Sequence, residues 1–131
     1  MTRLASASAL APISDAVVLA GGLAFLSGQG PVEDGRLSLG ALAHETTLTL
    51  QNLLSVVTSL GGNKQSIVRC TCYLADLADV PAFNEIYADF FGDCLPARTA
   101  VGAALQGGMK VEVEAVVQLD NRDAAAKDPR R

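Results

Sequence analysis

The hydrophobic and polar positions alternate with period two in some stretches and with helical period in others. Residues 16–20 and 23–27 are short apolar runs on either side of Gly21-Gly22, and a glycine pair in that setting predicts a tight β-hairpin. Gly28-Gln29-Gly30-Pro31 ends the second strand in flexible backbone, and Glu33-Asp34-Gly35 forms a turn. Across residues 41–60 the period changes. Leu50, Leu53, Leu54 and Val57 recur at i, i+3, i+4 and i+7, which makes one apolar face of a helix closed by Gly61-Gly62. Residues 66–74 are rich in β-branched and apolar side chains and predict a strand. Asp79-Val80-Pro81 has the form of an N-cap with a first-turn proline. Phe83, Ile86, Tyr87 and Phe90 then share one face of a second helix that ends at Gly92. Residues 97–104 and 110–119 give the last two strands, and Gln106-Gly107-Gly108 between them suits a tight antiparallel turn. The order ββ-α-β-α-ββ predicts a single α/β (α+β) domain: one mostly antiparallel sheet with both helices on one face. The other face then needs a cover, and a second copy of the chain is the expected one.

Composition sharpens this picture. A chain of 131 residues fits one domain, here residues 1–120, with the charged, alanine-rich residues 121–131 expected to form a disordered tail. Half of the residues are hydrophobic and only 18% are charged, a load that points to self-association. The net charge is −4, and Lys and Arg form no run outside the terminal pair. A nucleic-acid partner is therefore not expected, because nothing would neutralise phosphates. The apolar run over residues 16–27 is too short to span a bilayer, so no membrane partner is expected either. Cys70 and Cys72 lie two apart in a strand and point the same way as packing residues; with Cys94 they make an odd count. The spacing is not CxxC, and the single histidine, His44, cannot complete an ordinary zinc set. The expectation is reduced thiols, a cytoplasmic location and no metal. His44 itself reads as a surface residue. GxGxxG, Walker, HExxH and GxSxG patterns do not occur.

Candidate chemistry concentrates in the last two strands. In Val111-Glu112-Val113-Glu114-Ala115-Val116-Val117, alternation sets Glu112 and Glu114 on one face and valines on the other. A half-solvated strand showing carboxylates to water would look the same. Arg98, Ala100 and Gly102 also share a face, and an arginine flanked by small side chains leaves room for a small ligand whose carboxylate it can grip with its planar fork. The alternative is a structural ion pair between Arg98 and Glu112 or Glu114. With the two strands expected side by side, Arg98 and Glu112 would share one cavity. Ser27 and Gly28 sit where a strand breaks into a turn, and backbone N–H groups there can bind an anion, although ordinary turn chemistry explains them too. Asn84 lies on the second helix, off its apolar face.

Four segments carry a family resemblance: Leu26-Ser27-Gly28-Gln29-Gly30-Pro31, Asn84-Glu85-Ile86-Tyr87-Ala88-Asp89-Phe90-Phe91, Pro96-Ala97-Arg98-Thr99-Ala100-Val101 and Val111-Glu112-Val113-Glu114-Ala115. Together they resemble the reactive-intermediate (imine/enamine) deaminases, the Rid or YjgF-like proteins once labelled endoribonuclease L-PSP. The resemblance covers residues 11–117. It implies a chorismate-mutase-like fold and a homotrimer with sites between subunits. It also implies cofactor-free hydrolysis of short-lived 2-imino acids, such as 2-iminopropanoate, to 2-oxo acids and ammonia. Within it, Arg98 would bind the substrate carboxylate, Glu112 would activate water, and Ser27, Gly28, Asn84 and Ala100 would line the pocket. The chain departs from the common pattern at Ala100, where most members have Cys, and at Ala11-Pro12-Ile13-Ser14, where they have Gly-Pro-Tyr. Leu105-Gln106-Gly107-Gly108 also replaces a Leu-Pro turn. Two other functions compete: a non-catalytic protein that binds small carboxylates in the same cleft, and a ribonuclease, which the acidic charge and lone histidine disfavour.

Overall fold

A computed structural model of the chain describes residues 1–6 and 11–119; the expected tail, residues 121–131, lies outside the described residues. The elements are β1 (Thr2–Ala5), β2 (Ser14–Val18), β3 (Leu23–Gln29), β4 (Val32–Glu33), β5 (Arg36–Leu37), α1 (Leu42–Ser59), β6 (Ile67–Leu74), α2 (Val80–Phe91), β7 (Ala97–Gly102) and β8 (Val111–Gln118). The predicted hairpin forms as read. Gly21 and Gly22 take φ of 94° and 90°, values open to glycine at little cost, and the Leu19 N–H closes the turn on the Leu23 carbonyl at 2.8 Å. β1, which the hydrophobic pattern did not reveal, pairs antiparallel with β2 at the sheet edge. Asp79 precedes α2 as expected, but its side chain makes no cap hydrogen bond. Asp76 does the capping instead, accepting from the Ala78 N–H ahead of a short 3-10 turn.

Six strands form one sheet in the order β1-β2-β3-β8-β6-β7, and every neighbouring pair is antiparallel except β6–β7. This corrects one expectation. β7 and β8 are not neighbours, because β6 lies between them. The cause is α2, a helical crossover from β6 that returns the chain parallel to it, as crossovers of this length do. From β7 the chain then passes the end of β6 through the turn Gln106–Gly108. The Ala103 N–H donates to the Leu74 carbonyl, and the Ala75 N–H to the Lys110 carbonyl.

Both helices cover one face of the sheet. Leu50, Leu53 and Val57 of α1 and Phe83, Tyr87 and Phe91 of α2 are buried there with Ala24, Leu26, Cys70, Cys72, Leu74, Val111, Val113, Ala115 and Val117. Glu45, in the first turn of α1, is fully buried as well. It accepts the backbone N–H groups of Gly40 (3.1 Å) and Lys110 (2.8 Å) and pairs with the Lys110 ammonium at 3.2 Å. Burial alone would raise its carboxyl, but these donors outweigh it and hold the group below its usual value. The pair fixes the start of β8 to the start of α1. On the opposite face Phe25 stands 47% exposed between Val17 and Val116, so among the described residues this face carries apolar surface with no helix over it.

Candidate active site

Alternation assigns each candidate side chain to a face. Glu112 is the cross-strand partner of Tyr73, and Glu114 of Thr71; all four project from the helix-free face. Against β8, β3 carries an irregularity: Leu26 pairs with Ala115, but Gln29 pairs with Val113. Three residues on β3 therefore span two on β8, which is a β-bulge. The bulge turns Gly28 toward Glu112. A Cβ on Gly28 would collide with the Glu112 carboxylate oxygen and lie 3.1 Å from its Cδ. Ser27, inside the bulge, donates its hydroxyl to the Ser14 carbonyl at 2.6 Å. Gly28 and Glu112 thus come together, with Ser27 next to Gly28 in the bulge.

Arg98 belongs elsewhere. It is in register with Cys70, and Ala100 with Cys72, so both lie on the helix side of the sheet. The Arg98 guanidinium rests over two rings of α2, 4.9 Å from the Tyr87 centroid and 5.8 Å from that of Phe83. Those rings belong to a run, Phe83, Tyr87 and Phe91, spaced four apart so that each touches the next, with centroids 5.6 and 4.7 Å apart. Asn84 is exposed on the same helix. Arg98, Ala100 and the α2 residues therefore form a second group at the β7 edge. The expectation that Arg98 and Glu112 share a cavity within one chain fails, and so does the alternative of an ion pair between Arg98 and either glutamate. They project from opposite faces, with β6 between their strands.

The electrostatics differ between the two groups. Among the described residues Arg98 has neither a salt-bridge partner nor a hydrogen-bond acceptor. Glu112 is half-buried; burial, and after it the charge of Glu114, raises its carboxyl above the ordinary value. Glu114 is engaged by the Tyr73 hydroxyl, which donates to it, while no described residue hydrogen-bonds Glu112. The thiols beside Arg98 are held protonated: burial pushes Cys70 up and Cys72 to about 12. His44 hydrogen-bonds Ser38 through Nε2 at 2.9 Å and is exposed, beside a shallow groove of about 390 Å³ that touches none of the candidate residues. The periodicity of α2 already sets Phe83 and Tyr87 on one face, but it does not reveal Tyr73, nor that Phe91 continues the run or that Arg98 rests on it. Yet the Cys70/Cys72 alternation already implied that Tyr73 faces the other way, toward Glu112.

The sequence profile described as Endoribonuclease L-PSP matches residues 4–119, nearly all of the described chain. The chain belongs to the endoribonuclease L-PSP family, which includes the Rid and YjgF proteins. Relatives of this L-PSP chain include the mitochondrial protein mmf2 of Schizosaccharomyces pombe, 38% identical over 76% of this chain and 82% of its own. Another is the chloroplastic Reactive Intermediate Deaminase A of Arabidopsis thaliana, 37% identical over 86% of this chain and 61% of its own. Among solved L-PSP structures, E. coli TdcF with bound serine superposes with a TM-score of 0.78 at 29% identity, covering 86% of this chain and 92% of that one.

Proposed function

We propose that this protein is a cofactor-independent deaminase that hydrolyses small 2-imino acids to 2-oxo acids and ammonia. The observation that carries the reading is Arg98: a half-buried guanidinium, held against aromatic rings, with no anion to bind among the described residues. Such a group is a ready receptor for a carboxylate. The family supports the same reading, since one relative is named a reactive intermediate deaminase and another was solved with serine, itself a carboxylate.

The proposed reaction needs little. Water attacks the imine carbon while Glu112 takes one of its protons and passes it to the imine nitrogen, giving a carbinolamine. Glu112 then takes the hydroxyl proton and delivers it to the amino nitrogen, so that the C–N bond breaks as the C=O bond of the 2-oxo acid forms and the nitrogen leaves as ammonia. A carboxylate raised above its ordinary value is better suited to hold and release that proton near neutral pH. Positioning by Arg98 supplies the rest. Because Arg98 and Glu112 project from opposite faces of the sheet, the proposed site is completed between copies of the chain, in a homotrimer. The Ser27–Gly28–Glu112 face of one copy meets the Arg98–Ala100–Asn84 edge of the next. Release of ammonia and 2-oxo acid from imines generated enzymatically in situ tests the reading. If pyruvate binds but imine decay is not accelerated, the protein is instead a carboxylate-binding module.

A further inference from the structure

We propose that Tyr73 is a positioning residue for Glu112, acting by holding the neighbouring Glu114 carboxylate in place through its hydroxyl. The inference rests on the reading of Glu112 as the proton-transfer group. Tyr73 is the cross-strand partner of Glu112, yet its hydroxyl donates to Glu114, two residues further along β8. The two carboxylates are thereby made unequal. Glu114 has a donor and a fixed place, whereas Glu112 leans over Gly28 with its oxygens unclaimed among the described residues. A fixed negative charge at Glu114 acts on Glu112 as a constant electrostatic bias, part of which the Tyr73 hydroxyl dipole offsets.

Among the described residues no other charged group competes closely for this role. On β3 the neighbours are Gly28 and Gln29, which are neutral, and Asp15 lies beyond them on β2. On β6, Arg69 pairs with Val116 further along the face and donates to the Thr99 hydroxyl at 2.8 Å. On β7, Thr99 and Val101 are neutral. Lys110, two residues before Glu112, commits its ammonium to Glu45 and the Gly40 carbonyl. Any guanidinium contributed by a second copy is common to wild type and variants, so it cancels from a comparison between them.

The consequence has a sign. Tyr73→Phe removes the hydroxyl that offsets the Glu114 charge, so Glu112 should hold its proton to higher pH. Glu114→Gln removes the charge itself, so Glu112 should release its proton at lower pH. Shifts of about half a pH unit in opposite directions are expected from a hydrogen bond and a neighbouring charge of this kind. The experiment is carboxyl-carbon NMR titration of Glu112 in the assembled wild-type, Tyr73→Phe and Glu114→Gln proteins, with the pH profile of kcat/KM for imine hydrolysis measured alongside. Opposite shifts support the inference. Shifts in the same direction, or an unmoved Glu112, overturn it, because a purely structural tyrosine would leave the titration alone. If the titration moves as stated but the acid limb of kcat/KM does not follow it, the positioning role stands and the catalytic reading of Glu112 falls.

Discussion

Arg98 and Glu112 project from opposite faces of one sheet, with β6 between their strands. No side-chain motion within a chain can bring a guanidinium and a carboxylate together through a packed sheet, so any site that uses both needs two copies. Complementation tests this directly. Arg98→Lys and Glu112→Gln homo-oligomers should each be strongly impaired at low substrate concentration, while a mixture refolded together should recover about a quarter of wild-type activity, the chance that an intact Glu112 meets an intact Arg98 in a random assembly. The mass by light scattering should be about three times that of the chain. No recovery from co-refolded assemblies of that mass would sink the shared site.

The two residues should separate in kinetics. Arg98→Lys keeps the charge but loses the planar fork and its stacking on Tyr87, so pyruvate affinity should drop by about tenfold or more. Glu112→Gln keeps the shape and loses the base. Its kcat should fall by about 10²–10⁴ while pyruvate still binds, as calorimetry would report. Glu114→Gln should cost far less than Glu112→Gln; the reverse ranking would reassign the catalytic carboxylate.

Tyr87 offers a test of the aromatic seat under Arg98. Its hydroxyl is buried with only the Cys70 thiol, a weak partner, beside it, so the ring rather than the oxygen should matter. Tyr87→Phe should leave pyruvate binding intact and thermal stability equal or higher. Tyr87→Leu should weaken both, and weak binding by the Phe variant would show that the hydroxyl has a role after all.

Acid should act through Glu45. Its folded-state carboxyl is held below the usual value, so its contribution is complete above about pH 4.5, the unfolded value, and fades as pH falls through the lower folded value. Glu45→Gln should cost about 2 kcal/mol at pH 7, through weakened bonds to the Gly40 and Lys110 N–H groups. Urea denaturation from pH 7 to pH 3 should show the gap between variant and wild type closing on the acid side. A constant gap would mean that charge plays no part.

The fold was largely legible because its signals are local. Gly21-Gly22 marks a turn, the leucines of α1 repeat at helical spacing, and the valines of β8 alternate with glutamates, so each element announces itself within about ten residues. β1 did not, because its four residues lie at an edge where only Leu4 is partly buried, and alternation needs a core to alternate against. The order of β6, β7 and β8 was misread for a different reason. A Gly-Gly turn between two strands looks like a hairpin, and only the crossover through α2 reveals that β7 is already spent as the outer neighbour of β6. The site followed the same rule. Faces were readable from parity, so Glu112 and Glu114 were placed together and Arg98 with Ala100, but the face of one strand relative to another depends on pairings far apart in sequence.

Gly28 carries a consequence for anyone screening variants of this protein. Its backbone is outside the left-handed region, so the main chain would accept an alanine, and the atom in the way is the tip of a flexible Glu112 side chain rather than packed backbone. Substitutions at Gly28 should therefore pass selections for expression and solubility while displacing the carboxylate next to it. Every missense change of a glycine codon introduces a Cβ, so at this codon inheritance has no mild option: the allele spectrum should divide between silent changes and soluble, inactive protein.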